Sequence, residues 1–263
     1  MRYSHMERKG MLNKMKLLSQ ELLIKTGPVD HADWNYRPLL GLISRTRFRL
    51  VRDMMRGRRF HRLLEIGYGS GVLMPELAQH AEELHGVDIH THTTAVSERL
   101  EKIHTHAQLH TAHVTSLPFP DGYFDCIVGV SVFEFVDDLD SACDEIERVL
   151  NHEGVFLVVT PNNSPILDAG LKLLTQQSAN KDFGDRRKNL IPTLLRHFSV
   201  VEERPVPRVG ASVLRVYTGL KLCRRAARGV TEAQSPHPLK RAGSLFENRD
   251  YPRTIFRSVL YIS

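Results

Sequence analysis

The sequence contains no run of about 18 apolar residues, so no segment reads as a transmembrane helix. The stretch from Met11 to Ile24 is broken by Asn13, Lys14, Lys16, Ser19, Gln20 and Glu21 and does not read as a secretory leader. Cysteine is scarce. Cys126, Cys143 and Cys223 show neither paired nor metal-binding spacing, which argues against a disulfide scaffold and for a reducing, cytoplasmic setting. The 14 histidines invite a metal reading, but His104, His106, His110 and His113 run from a helix end through a turn into a strand. That path does not converge on one ion, so no metal is expected. The formal charge of +6 suits an anionic partner, yet basic residues cluster only briefly, at Arg56-Gly57-Arg58-Arg59 and Arg224-Arg225. A solvated basic surface is the expectation, not a nucleic-acid groove.

What is present is a globular mix, 41% hydrophobic and 25% charged, in a chain of 263 residues, enough for one sizeable domain with appendages. Met11, Met15, Leu18 and Leu22 recur at helical spacing and predict an amphipathic helix over 6–25, ended by Gly27-Pro28. An aromatic loop follows over 30–37, then a helix from Pro38 to Arg56. Beyond residue 62, short apolar runs alternate with amphipathic stretches. Strands are expected at Arg62–Ile66, Glu83–Asp88, Gln108–Val114, Asp125–Ser131 and Val155–Thr160, with helices at Gly71–His80, Thr93–His104 and Asp138–Leu150. Right-handed crossovers then give a mainly parallel α/β sheet. Arg186 to His197 reads as a further helix, and the runs Phe198–Glu203 and Ser212–Thr218 as an antiparallel hairpin. Three parts result: a helical extension or lid over 1–57, a nucleotide-binding domain over 58–227, and a partly flexible tail over 228–263.

The strongest signal is Leu63-Leu64-Glu65-Ile66-Gly67-Tyr68-Gly69-Ser70-Gly71, read together with Asp88. An apolar strand runs into a glycine-rich turn, which lets the backbone approach a ligand that Cβ atoms would obstruct. Asp88 closes the second strand, where a carboxylate can accept both hydroxyls of a ribose. A dinucleotide fingerprint would need glycine at position 72, which is Val72. The early third glycine and Glu65 instead suit S-adenosylmethionine, whose ammonium group favours carbonyls and acids over a helix N-terminus.

Residues 62–162 resemble the class I methyltransferases, especially the broad group acting on small molecules and quinone precursors. The likeness is carried by the glycine turn, Leu117-Pro118-Phe119-Pro120-Asp121, Tyr123-Phe124-Asp125, Arg148-Val149-Leu150, and Gly154 before the strand ending Thr160-Pro161-Asn162. It implies a Rossmann-like, doubly wound seven-stranded sheet, mainly parallel with an antiparallel C-terminal hairpin, plus the N-terminal helical extension. It also implies S-adenosyl-L-methionine as cofactor, with Glu65, Gly67, Tyr68, Gly69, Ser70 and Gly71 along its methionine and ribose. Asp88 would hold the ribose hydroxyls, Ile89 the adenine face, Val114 and Thr115 the adenine edge, and Val130 and Ser131 the sulfonium. The sequence departs from the family at His113, usually an acid, at Phe135, often His, and at Glu153, often a second glycine.

No residue declares itself a catalytic base. Glu134, just past the fourth strand, and His90, after the ribose acid, are the candidates; a surface or capping carboxylate and a loop histidine are the plainer alternatives. The segment Gly129-Val130-Ser131-Val132-Phe133-Glu134-Phe135 lacks the Asn-Pro-Pro-Tyr type of motif, which turns the reading away from nucleobase amines. Trp34, Tyr36 and Arg37 either cap the cofactor or brace the sheet. The function expected is methyl transfer to a small-molecule acceptor, foremost O-methylation of a metabolite. An RNA or protein methyltransferase and a non-catalytic S-adenosylmethionine-binding protein are the alternatives. The acceptor and the oligomeric state are not legible.

Overall fold

Residues 60–66, 124–130 and 155–160 bury side chains on both faces, as strands must when helices cover both sides of a sheet. The computed structural model describes residues 15–27, 30–162, 186–207 and 215–225. Helix α1 (Pro38–Met55) starts with proline at its first position, where the missing N–H is not needed. There follow β1 (Phe60–Ile66), α2 (Met74–Leu77), β2 (Ala81–Asp88), α3 (Thr93–Glu101), β3 (Gln108–Thr111) and β4 (Phe124–Val130). The chain continues through α4 (Leu139–Val149), β5 (Leu150–Pro161), α5 (Arg186–His197), β6 (Phe198–Val206) and β7 (Tyr217–Arg224). Asp138 caps α4 by accepting from the Ser141 N–H at 3.0 Å.

The seven strands lie in the order β3-β2-β1-β4-β5-β7-β6. The first five pair in parallel, and β7 pairs antiparallel with both β5 and β6. The order reverses between β1 and β4, so the crevice of a doubly wound sheet opens beyond the carboxyl end of β1. Period-two alternation divides each strand between two cores. Leu63, Cys126, Val128 and Leu157 join α1 and Leu18 on one face, while Leu64, Ile127, Phe156 and Val158 join α4 and α5 on the other. Among the described residues no helix is long and apolar enough to cross a membrane.

Four sequence expectations need correction. The helix over 6–25 does not form within 15–25, which holds only a 3-10 turn at Gln20–Leu22; residues 6–14 and the 228–263 tail lie outside the described residues. Tertiary partners take the backbone groups that a helix would use: Leu18 N–H donates to Val72 O at 3.0 Å and Lys16 N–H to the Glu76 carboxylate at 2.7 Å. The helix over 71–80 shrinks to Met74–Leu77, because the chain must enter β2 at Ala81 and 3-10 bonds at Gln79 and His80 already unwind it. Strand β3 stops at Thr111 instead of Val114, where His113 and Thr115 form a local turn. Strand β7 runs over Tyr217–Arg224, further along the chain than the expected 212–218, of which 212–214 lie outside the described residues; Lys221 and Arg224 hid the buried Leu220 and Leu222.

Arg148 explains why the stretches around Leu117 and Leu150 resemble a family pattern. Its guanidinium donates to Phe119 O and Asp121 at 2.8 Å, to Leu117 O at 3.0 Å and to Glu145, whose carboxylate in turn accepts from the Leu117 N–H. One side chain thus fixes the loop that leads from Val114 back to β4. Replacing Arg148 with Met is expected to reduce stability by about 1–2 kcal/mol, read as a lower urea midpoint. Replacing it with Lys should recover less than half of the loss, since a point charge cannot reach both carbonyls.

Candidate functional site

Glycine at two positions of the turn after β1 has a geometric cause. Gly67 has φ +73°, and a Cβ there would meet Val132 Cγ2 at 2.4 Å. Gly69 has φ +51°, but its Cβ would point into open space, with only Thr26 Oγ1 near, at 3.9 Å. The first glycine is needed for packing. The second keeps a cradle clear above the turn.

Asp88 holds this turn. Its Oδ2 accepts from the Gly69 N–H at 2.8 Å, while Oδ1 accepts from the His90 N–H at 3.3 Å. His90 completes the clasp: its Nδ1 accepts from the His92 N–H at 3.1 Å, so its Nε2 is the donor to Gly69 O at 2.9 Å. Its ring also meets Tyr68 edge-on at 4.9 Å. With both nitrogens used on backbone groups, His90 is a brace for the turn.

Several buried polar atoms around the crevice have no hydrogen-bond partner among the described residues: Glu65 Oε2, Tyr68 OH, Ser70 Oγ, Ser131 Oγ, Glu134 Oε2, Arg47 Nε and Asn162 Nδ2. Native interiors rarely leave such atoms unsatisfied, so their gathering at one sheet edge makes it a candidate seat for a polar ligand. Burial, then the charge of Asp88, raises the Glu65 carboxyl well above its ordinary range, against the opposing charge of Arg47. Glu134 is 2% exposed, and burial raises its carboxyl to about 7, offset by its own backbone N–H and by Arg187 and Arg47. Burial also raises Tyr217, with Arg47, Glu134 and Arg187 within electrostatic reach. Ser131, between β4 and Glu134, takes φ +52°, a strained value for a residue with a side chain.

The structure gathers Glu65, Gly67, Tyr68, Gly69, Ser70, Gly71 and Asp88 into one turn, with Val130, Ser131 and Glu134 beside it across the switch point. Ile89 is exposed at the rim, 72% open to solvent. Val114 is buried in the core, leaving its backbone and Thr115 for any ligand; His113 binds Thr115 Oγ1 at 2.7 Å instead of facing the crevice as an acid. Arg47, Tyr217 and Asn162 were not foreseen. Arg47 had a signal in the sequence, since it interrupts the buried stripe Leu40, Ser44, Phe48, Val51 and Met55 of α1. The aromatic segment 32–36 is a 3-10 helix: Tyr36 OH donates to Leu18 O, Trp34 stacks on His31 at 4.3 Å, and Asn35 accepts from Ser44. Thr26, held by Asp30, lies over the turn at Gly69.

Residues 64–158 match the family described as a methyltransferase domain. The chain is 32% identical over 112 residues to the uncharacterized methyltransferase YcgJ of Bacillus subtilis, a match covering 41% of this chain and 44% of that protein. It is 35% identical over 98 residues to the malonyl-[acyl-carrier protein] O-methyltransferase of Geobacter sulfurreducens, covering 36% of each. These matches thus span less than half the length of either relative. The fold is similar to the N-methyltransferase NodS of Bradyrhizobium japonicum in complex with S-adenosyl-L-homocysteine, with a TM-score of 0.56, 17% identity, and coverage of 79% of this chain and 98% of that one. By its glycine turn, its strand order and the match over residues 64–158, this part of the chain is a methyltransferase domain of the class I S-adenosylmethionine-dependent type.

Proposed function

We propose that this protein transfers a methyl group from S-adenosylmethionine to a small-molecule hydroxyl acceptor, with Glu134 as proton acceptor. The observation that carries the reading is the row of orphaned buried polar atoms beside a glycine turn left open at Gly69. When bound, S-adenosylmethionine supplies a methyl group already activated by its sulfonium. Asp88, at the end of β2, accepts from the ribose hydroxyls with the lone pairs that Gly69 and His90 leave free. Exposed Ile89 covers one adenine face, and Val114 and Thr115 present backbone groups to its edge. Glu65 would hold the ammonium end, whose charge would favour its ionised form. Val130 and Ser131 would line the sulfonium, with Thr26 and the 30–37 segment over the turn.

A hydroxyl begins protonated, so its attack on the methyl carbon needs a proton acceptor as the carbon–sulfur bond breaks. Glu134 is suited to that step because burial raises its carboxyl to about 7 and its Oε2 has no partner among the described residues. His90 is left out of the proton transfer, since both its nitrogens are engaged. Buried Glu134 also separates this reading from a salt-driven nucleic-acid contact, which would use exposed charge.

Calorimetry with S-adenosylhomocysteine tests the cofactor site. Asp88→Ala should weaken binding by about 1–3 kcal/mol through loss of charge-assisted hydrogen bonds. Gly69→Ala should abolish binding while reducing stability by only about 1–2 kcal/mol, the strain of a left-handed backbone. Unchanged affinity in either folded variant contradicts the assignment.

Glu134 gives a second test, with its own sign. Its folded-state carboxyl is raised, so the stability it contributes is present below about pH 4.5 and lost as pH rises through about 7. Glu134→Gln should therefore stabilise the protein by about 1–3 kcal/mol at pH 8 and little at pH 5. Methyl transfer, measured with methyl-labelled cofactor and metabolite extracts, should rise with pH around 7 in the native protein and fall at least tenfold in the variant.

A further inference from the structure

Helix α1 lies across β4, β5 and β7 on the face of the sheet that also carries Leu63 and Val128. Its direction follows from two contacts. Met54 O accepts from Lys221 Nζ at 3.3 Å, and Leu50 and Met54 meet Gly219. Strand β7 begins at Tyr217, opposite Pro161 at the carboxyl end of β5, so Gly219 and then Lys221 lie progressively below that edge. The helix therefore climbs from Met54 through Leu50 toward the edge as it runs back to Arg47. Arg47 shares the sheet-facing stripe with Val51 and Met54 by helical spacing.

Glu65 projects on the same face, because it alternates with Leu64 and Ile66, which belong to the opposite core. A cation from the helix and a carboxyl from β1 thus lie on the same face of the sheet, within electrostatic reach of each other. Arg47 acts electrostatically on Glu65, on Glu134 and on Tyr217, whereas Arg187 acts on Glu134 and Tyr217 without being among the groups that act on Glu65. Despite this proximity Arg47 and Glu65 form no ion pair: Arg47 Nε and Glu65 Oε2 are both buried and both unpartnered among the described residues. A guanidinium and a buried carboxyl, each with an unsatisfied atom, fit a zwitterion between them.

We propose that Arg47 binds the carboxylate of the cofactor's methionine end, opposite Glu65 at its ammonium group. The proposal rests on the cofactor reading above and adds a residue outside residues 64–158. Arg47 thereby makes α1 part of the binding site as well as part of the core. It also selects for ligands that keep the amino-acid carboxylate.

The test compares S-adenosylmethionine with its decarboxylated analogue, which keeps the ammonium, sulfonium and nucleoside. Dissociation constants are measured by calorimetry for the native protein, Arg47→Met and Arg47→Lys, with thermal melts as the control for folding. The native protein should favour the carboxylate by about 10- to 100-fold, a range set by one charge-assisted contact. Arg47→Met should bind both ligands alike, and Arg47→Lys should keep part of the preference. A native protein that binds both equally overturns the proposal, and so does Arg47→Met with its preference intact. Should Arg47→Met fail to fold, a full preference in Arg47→Lys overturns the assignment of the carboxylate to the arginine guanidinium. Native protein that binds neither ligand instead overturns the cofactor reading itself, and the proposal with it.

Discussion

The hydrogen bond from the Gly69 N–H to Asp88 Oδ2, 2.8 Å long, ties the turn after β1 to the carboxyl end of β2, beside the point between β1 and β4 where the strand order reverses. Other contacts reinforce the same corner: Gly67 N–H donates to Val87 O, and Ala112 N–H to Asp88 O. His90 then returns to Gly69 O. The turn is therefore held in its open shape by protein groups alone, and a ligand entering it has little ordering to impose. The arrangement depends on positive φ at Gly69, where most side chains would add strain and any side chain would fill the cradle.

Charge organises the rest of the crevice. Glu65 and Glu134 are both buried at one sheet edge, and both carboxyls are raised by the loss of water. Burying two such groups without full pairing is unfavourable and persists only because the surrounding fold is stable enough to impose it. The fold supplies that stability through two cores, with Phe124, Phe133, Phe156 and Phe198 fully buried on one side and Leu18, Val51 and Met55 on the other. Arg47 opposes both carboxylates from α1, which is why a helix outside the glycine-turn motif bears on the chemistry.

Much of the architecture was legible because its causes are local. Buried parallel strands write themselves as continuous apolar runs, and Arg186–His197 kept its helical periodicity to the residue. Segment 15–27 misled for the opposite reason. Its Met15, Leu18 and Leu22 have helical spacing, yet Leu18 is inserted into the core from an extended chain whose N–H groups bond to Val72 and Glu76. Strand β7 was misplaced because Lys221 and Arg224 break up its apolar run, although Lys221 is accommodated by donating to Met54 O of α1.

The sequence by itself determined the strand–helix alternation, the glycine turn and the placing of Asp88 beside it, since each depends on residues close in the chain or on a strand end. Only the tertiary structure decided that His90 braces that turn, that Glu134 is buried instead of lying on the surface, and that Arg47 comes within electrostatic reach of Glu65. Those facts depend on which helix packs over which strand, and on how much water the packing removes from a charge. Neither quantity is written in any local run of residues.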